Sequence, residues 1–179
     1  MPEHDSGKLV SMGTRIKAFL WDYIVIFGYI LLLIGVSYAA RPWLMPLFSS
    51  SPWTAELTGF CFITLPVLLY FALSEGSRAH ATWGKRKVGI QVKTVHGQPM
   101  GFGTSLLRSA VKFAPWELAH FTIWHMVLPS GIADSVLNGL LAAVYGLVFL
   151  YLLSPLWSPK KQTVYDRIAG SVVVRSDKA

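Results

Sequence analysis

Two stretches of this 179-residue sequence contain no charged residue, and each is long enough to cross a lipid bilayer. They are LTGFCFITLPVLLYFALS at 57–74 and SVLNGLLAAVYGLVFLYLLSPLW at 135–157. A helix needs about 20 apolar residues to span a hydrocarbon core of ~30 Å. Residues 16–40 form a third apolar run, interrupted only by Lys17 and Asp22. The sequence therefore predicts transmembrane helices, in keeping with its 14% of charged residues, since soluble domains carry about a quarter.

A fourth segment, residues 105–128, is apolar but contains several ionisable side chains. These are Arg108, Lys112, Glu117, His120 and His125. If all four segments cross the bilayer, 15 of the 16 Lys and Arg residues lie on one side and only Arg41 lies on the other. The positive-inside rule then places both termini in the cytoplasm and the protein in the cell membrane. The net charge of +7 is explained by this topology and by anionic lipid headgroups, so no nucleic-acid partner is expected.

These patterns predict an all-α membrane protein with about four transmembrane helices and a basic cytoplasmic loop. Within that loop VGIQVKTV alternates apolar and polar residues, and GSVVV at 170–174 has the same character, so the two could pair as a short β-ribbon. Residues 1–12 are expected to be a disordered cytoplasmic N-terminus, 13–175 the transmembrane domain and 176–179 a C-terminal tail. Loop 41–56 is expected to lie at the outer interface.

Two features concern helix packing. Pro66 deprives the carbonyl of Phe62 of its helical donor, which predicts a kink in the second helix. Small residues recur at four-residue spacing in the last helix, which allows close helix approach. They are Gly139 with Ala143, and Ala142 with Gly146. This spacing favours packing within the chain over a dimer face, and it leaves a homo-oligomer open.

Asp22 needs an explanation, because a carboxylate inside a bilayer costs roughly 2.5–3.5 kcal/mol even on lenient scales. Arg15 lies two helical turns earlier on the same face, about 10 Å away. Asp166 follows the last helix on the side from which Arg15 emerges. One interpretation is that Arg15 and Asp166 tie the ends of the bundle together. The other is that these three residues form the mouth of a cation or proton path.

Glu117 and His120 are three residues apart and share a helix face. We expect them to line the bundle interior beside Asp22, although the segment could instead lie flat at the interface. Glu-x-x-His occurs once here, whereas di-iron bundles use it twice with two further glutamates. The sequence therefore predicts no metal site, and no cofactor or enzyme motif is recognisable.

The stretch TWGKRKVG combines glycine and lysine without the spacing of a phosphate-binding Walker loop. Its basic residues are expected to contact lipid headgroups or to lie at the cytoplasmic face. These are Lys85, Arg86 and Lys87.

Three segments in order carry a resemblance to a known family. They are TRIKAFLWDYIVI, with Arg15 and Asp22; ATWGKRKVGIQVKTVHGQPMGFGTSLLR; and KQTVYDRIAGSVVV, with Asp166. Over about residues 12–175 the chain resembles the RDD family, small multi-pass membrane proteins named for an arginine and two aspartates. The resemblance implies a polytopic membrane protein, and transport is often suggested for the family.

Two functions follow as hypotheses. The first is transport of a cation, a proton or a small polar solute through a polar bundle interior, which with four helices needs at least a dimer. The second is a membrane scaffold or accessory subunit that transports nothing.

Overall fold

The structure is a computed structural model, and it describes residues 9–176. The predicted disorder of the N-terminus concerns residues 1–12, of which 1–8 lie outside the described part, as do 177–179 of the predicted tail.

The chain is mostly helical. Its helices, in order, are α1 Met12–Ala39, α2 Arg41–Ser49, α3 Pro52–Gly59, α4 Leu65–Gly76, α5 Trp83–Lys87, α6 Phe102–Val127, α7 Asp134–Leu153 and α8 Val164–Ile168. Two strands, β1 Ile90–Thr94 and β2 Ser171–Arg175, complete the fold.

Within residues 9–176, three helical segments are long and apolar enough to cross a membrane: Met12–Ala39, Pro52–Gly76 and Asp134–Leu156. They match the three apolar runs of the sequence, and few residues of the first and third are buried, whereas 39% of the second is buried inside the protein. Helix α6 is 26 residues long, or about 39 Å at 1.5 Å per residue. It is more polar than the other three, and it packs along α4 and α7.

The second span is interrupted where the sequence predicts it. Residues Phe60–Thr64 form a π-helical turn between α3 and α4, and Pro66 follows at once. Insertion of a π turn widens the backbone locally, which accommodates a residue that has no N–H to donate. The freed carbonyl of Phe62 accepts a hydrogen bond of 2.6 Å from the Tyr29 hydroxyl of α1.

The segment predicted as an outer loop at 41–56 is instead largely helical. α2 begins directly after α1, and Pro52 is the first residue of α3. Prolines 42 and 52 occupy the first turns of these helices, where the missing N–H costs nothing, and Ser51 caps α3. The prediction of a loop from the Pro, Ser and Trp content was therefore wrong, because Pro42, Ser51 and Pro52 lie at the starts of helices.

The predicted β-ribbon is confirmed. β1 pairs antiparallel with β2, with Val92 opposite Val173, and Leu9 bridges to Val174 at the edge. A two-stranded ribbon is marginal by itself, so its packing face matters. It has one, because its inward side chains form a buried cluster with the start of α1. The cluster comprises Val10, Ala18, Ile90, Val92, Met100 and Val173.

The small residues of α7 do not pack within the chain. Gly139, Ala142, Ala143 and Gly146 are all exposed, and an added Cβ on either glycine would meet no atom within 4 Å. The expectation of intramolecular packing was therefore wrong. The contacts of α7 with α6 use another face, on which Leu137 and Val144 are buried.

Candidate functional site

Five charged side chains form one continuous series of ion pairs at the end of the bundle where α1 begins and α4 ends. Lys85 contacts Glu75 at 2.5 Å, and the other oxygen of Glu75 contacts Arg108 at 2.5 Å. Arg108 also donates to Asp166 from Nε at 2.9 Å and from Nη2 at 2.7 Å. Asp166 in turn accepts from Arg15 at 2.7 Å. We call this series, Lys85–Glu75–Arg108–Asp166–Arg15, the charge chain and this end of the bundle the basic end.

The charge chain is buried and joins four separate parts of the sequence. Glu75 and Asp166 have no exposed surface, and Arg108 is 2% exposed. Removing one member of a buried pair costs about 3–5 kcal/mol, because its partner is left charged and uncompensated. The chain therefore fixes α1, α4, α6 and α8 against one another. Its Arg15–Asp166 contact is the ion pair that the sequence suggested.

Asp166 also stabilises the start of α8. It forms a capping box with Thr163 at the start of α8, in which each side chain bonds the other's main-chain N–H. Burial alone would raise the pKa of Asp166, but the charges of Arg108 and Arg15 outweigh it and hold that pKa well below its usual range. Asp166 is thus an anion in the folded protein.

Asp22 lies outside the charge chain, in a pocket whose hydrogen-bond donors to it are uncharged. It is 1% exposed and accepts three hydrogen bonds: from the Tyr70 hydroxyl at 2.8 Å, the Thr82 hydroxyl at 2.6 Å and the Gly84 N–H at 2.7 Å. An ionised carboxylate accepts at about four lone-pair positions, so most are used. Asp22 does face the interior, but none of these donors comes from Arg15 or from the Glu117–His120 face. The predicted neighbours were wrong, because the TWGK segment folds back onto α1 and reaches Asp22 first.

The short helix α5 accounts for this fold-back. Thr82 caps it by accepting from the Lys85 N–H, and its start lies against α1. Gly84 allows the close approach, since a Cβ there would overlap the Ala18 carbonyl oxygen and lie 2.7 Å from the Asp22 nitrogen. The segment TWGK with its threonine cap thus supplies two hydrogen-bond donors to Asp22, and its Lys85 forms an ion pair with Glu75.

This arrangement corrects the expectation for the basic residues of α5. Lys85 is only 8% exposed and belongs to the charge chain, so it does not face lipid headgroups. Arg86 and Lys87 are exposed, and the Lys87 ammonium lies 5.4 Å from the centre of the Trp83 ring. They remain candidates for the predicted contact with headgroups.

Glu117 and His120 lie farther along α6, the helix that packs against both α3 and α4. The carboxyl group of Glu117 interacts with that of Glu56, a residue that the sequence analysis did not select. Neither carboxylate forms an ion pair with Lys or Arg within residues 9–176. Both oxygens of Glu117 and one of Glu56 are buried without a hydrogen-bond partner in that part of the chain.

Other side chains on α6 and in the π turn also bury polar atoms that have no hydrogen-bond partner within residues 9–176. Thr64 and Ser109 each bury an unpaired hydroxyl, and His120 and His125 each bury an unpaired ring nitrogen. His125 uses its Nδ1 on the Phe121 carbonyl at 2.9 Å, which leaves Nε2 unpaired. We call these side chains the polar strip. Its members are Glu56, Thr64, Ser109, Glu117, His120 and His125.

Several site residues escaped the sequence analysis. Glu75 directly follows the uncharged run at 57–74 and was not selected, and Glu56 lies in the segment that was assigned to the outer loop. Arg108 is the last residue of the second segment that carries the family resemblance, and this position could have identified it as a site residue. Within the described residues, no group of three or more His, Cys, Asp or Glu side chains is arranged to hold a metal ion.

Comparison with known proteins agrees with the resemblance of the motifs. No curated protein and no solved structure matches the chain. The model of the RDD family matches residues 9–170, nearly the whole sequence, and so covers Arg15, Asp22, Asp166 and the segments that join them. The chain therefore belongs to the RDD family and is a membrane protein with several apolar helices.

Proposed function

We propose that this protein conducts protons or a small cation across the cell membrane along the polar strip. The observation that carries the proposal is the pair of neighbouring carboxyl groups on Glu56 and Glu117, which has no cationic partner in the described chain. Two carboxyl groups side by side in a low-dielectric interior favour sharing one proton or holding one cation between them. Ionisable groups at such depth are expensive and are usually functional.

The placement of the strip supports the proposal. It runs from His125, near the end of α6, through Glu117 toward Ser109. Ser109 is adjacent in sequence to Arg108, so this end of the strip lies at the same level of α6 as the charge chain. Buried hydroxyl and imidazole groups without partners are uncommon, and water or a passing ion can supply the missing bonds.

A four-span topology with both termini in the cytoplasm is part of the proposal. The bridge between Leu9 and Val174 supports this topology, because two paired ends on one side of a membrane imply an even number of crossings. In the described part of the chain three helices are apolar enough to cross, and we propose α6 as the fourth crossing. The positive-inside rule favours the cytoplasm for the basic end. We propose neither an enzymatic role nor a nucleic-acid partner.

We also propose that the protein works as a homo-oligomer, since four helices are few for a complete path. The exposed small residues of α7 offer a surface on which a second copy could approach closely. Anionic lipid headgroups would surround the basic end, where the exposed Arg86 and Lys87 can reach them.

The test measures ion flux into proteoliposomes that contain the purified full chain, under an imposed membrane potential. Proton flux is followed with a pH-sensitive dye, and sodium flux is measured in a parallel series. Glu117→Gln and Glu56→Gln should each reduce flux about tenfold or more, because neither amide can exchange a proton. Asp134→Asn, at an exposed carboxylate, is the matched control and should conduct normally. Wild-type flux of both ions at the level of empty vesicles would refute the proposal.

Asp22→Asn separates this proposal from the hypothesis that Asp22 belongs to the path. An amide oxygen can still accept from Tyr70 and Gly84, and the Thr82 hydroxyl can turn to accept from the new N–H. We therefore expect a folded variant with flux close to that of the wild type at pH 6 and pH 8. Loss of flux in a folded Asp22→Asn variant would return Asp22 to the path.

The second candidate function is a scaffold or accessory subunit, and the charge chain favours it. Its ion pairs tie α1, α4, α6 and α8 into one rigid unit at a membrane face, as an assembly platform requires. Absence of flux together with a stable, ordered protein would favour this function.

A further inference from the structure

A cleft of about 310 Å³ lies at the basic end, between the start of α1 and the connection from α7 to α8. A smaller cleft of about 140 Å³ adjoins it, and the two share Val10, Ser11 and Lys161 in their walls. Neither belongs to the polar strip or to the Asp22 pocket. What the cleft could bind follows from its lining.

The polar lining consists of cations and hydroxyl groups. Arg15 and Lys161 line the larger cleft with Ser11 and Ser158, and Arg175 lines the smaller one. Among residues 9–176, none that lines either cleft is acidic. The side chain of Lys161 forms no ion pair in the described chain.

Arg15 has donors to spare. Its Nη1 binds Asp166, whereas its Nε and Nη2 are buried and have no acceptor within residues 9–176. A guanidinium carries five N–H donors in a planar fork that fits the oxygens of a phosphate. Because these nitrogens are covered, a small turn of the side chain would be needed to present one of them to the cleft.

The local charge also favours an anion. The charge chain contains three cations and two anions, so it carries one positive charge in excess, and Arg15 is its terminal member. In a partly buried site such an excess attracts an anion more strongly than it would in open water.

The rim of the cleft is apolar and lies at the end of two membrane-length helices, α1 and α7. Leu156 lines the cleft and is 67% exposed, and its neighbour Trp157 is 68% exposed. Tryptophan is typical of the level of lipid headgroups. An anion bound here could thus belong to a molecule whose acyl chains lie against α1 and α7.

We propose that this cleft binds a phosphate group through Arg15 and Lys161. The phosphate is supplied either by an anionic lipid headgroup or by inorganic phosphate. The proposal is independent of conduction, and a chain without any flux could still bind phosphate here.

The experiment measures thermal unfolding of the full chain in a neutral detergent at constant ionic strength. The probes are inorganic phosphate and dioctanoyl phosphatidic acid, and dioctanoylglycerol is the control that has the same tails without phosphate. A ligand that binds only the folded state raises the midpoint in proportion to the logarithm of its concentration above Kd. We expect such a rise with at least one phosphate probe and none with dioctanoylglycerol.

Two variants assign the effect to the cleft. Lys161→Asn removes the free cation but tolerates the positive φ of 50° at that position, and it should raise the half-saturating concentration about tenfold. Lys160→Asn is the matched control, since Lys160 is exposed and lines neither cleft. Arg15→Lys keeps a cation for Asp166 without the planar guanidinium fork, and it should also weaken binding.

Each result decides the matter. A rise with phosphatidic acid alone identifies a lipid headgroup as the source, and a rise with inorganic phosphate alone identifies the free ion. A rise with both shows that the phosphate itself is what the site recognises. No saturable rise with either probe, or equal losses in Lys160→Asn and Lys161→Asn, would overturn the proposal. Should Arg15→Lys fail to fold, the comparison of the two lysine variants still decides.

Discussion

The hydroxyl of Tyr29 donates a 2.6 Å hydrogen bond to the carbonyl oxygen of Phe62, the carbonyl that Pro66 leaves without a helical donor. One helix thus repairs a defect in its neighbour at the level of the π turn. In a bilayer such a repair matters more than in water, because no solvent is present to satisfy a free carbonyl. The contact also ties α1 to the second span, far from the charge chain.

Tyr29→Phe should therefore destabilise the protein by about 1–2 kcal/mol, since it leaves a polar acceptor unpaired at unchanged shape. The measurement is the free energy of unfolding in mixed detergent micelles. Tyr23→Phe is the matched control, because Tyr23 lies on the same helix, is 52% exposed and forms no hydrogen bond through its hydroxyl within residues 9–176. Equal effects of the two substitutions would contradict the assigned role.

The Arg15–Asp166 pair should behave as a coupled unit. Arg15→Ala and Asp166→Ala should each lower stability, by about 3 kcal/mol or more, and the double variant should lose less than their sum. Asp166→Ala should cost more, because it also releases Arg108 and the cap of α8. Arg167→Ala, at an exposed neighbour, controls for the loss of an arginine. Additive losses would mean that the two side chains do not interact.

Stability should fall in acid because of Asp166. Its pKa is lowered in the folded protein, so its contribution is complete above the unfolded pKa of about 4 and disappears as the pH falls below that value. Unfolding midpoints measured from pH 7 to pH 2.5 should be level at first and then drop. Asp166→Asn should start lower and drop less steeply, whereas Asp134→Asn should follow the wild type. A wild-type-like acid limb in Asp166→Asn would contradict this assignment.

Gly84→Ala should be among the most damaging single substitutions, costing about 3 kcal/mol or more. The new methyl group would overlap the main chain of α1 at Ala18, and main chain cannot turn aside as a flexible side chain can. Gly139→Ala is the matched control, because its methyl group would meet no atom within 4 Å. Circular dichroism and unfolding in detergent would compare the two. A stable Gly84→Ala protein would show that α5 does not press against α1.

The sequence by itself determined the membrane class, the three apolar spans, the β-ribbon and the break at Pro66. Each depends on a local or periodic property, namely the length of an apolar run, the alternation of apolar and polar residues along a strand, or the missing N–H of proline. Arg15 and Asp166 could be matched as well, because helix topology alone brings both to the same face.

Only the tertiary structure decided which polar groups meet. Asp22 looked like a partner of Glu117 because both are carboxylates at membrane depth, yet the short helix α5 folds back and fills its hydrogen bonds with Thr82 and Gly84. Likewise the sequence predicts Lys85 to be a surface cation, whereas in the structure it forms a buried ion pair with Glu75. Pairings of this kind depend on how segments far apart in the chain are placed in three dimensions. No periodicity encodes that placement, because it follows from packing and from the high cost of leaving any buried charge without a partner.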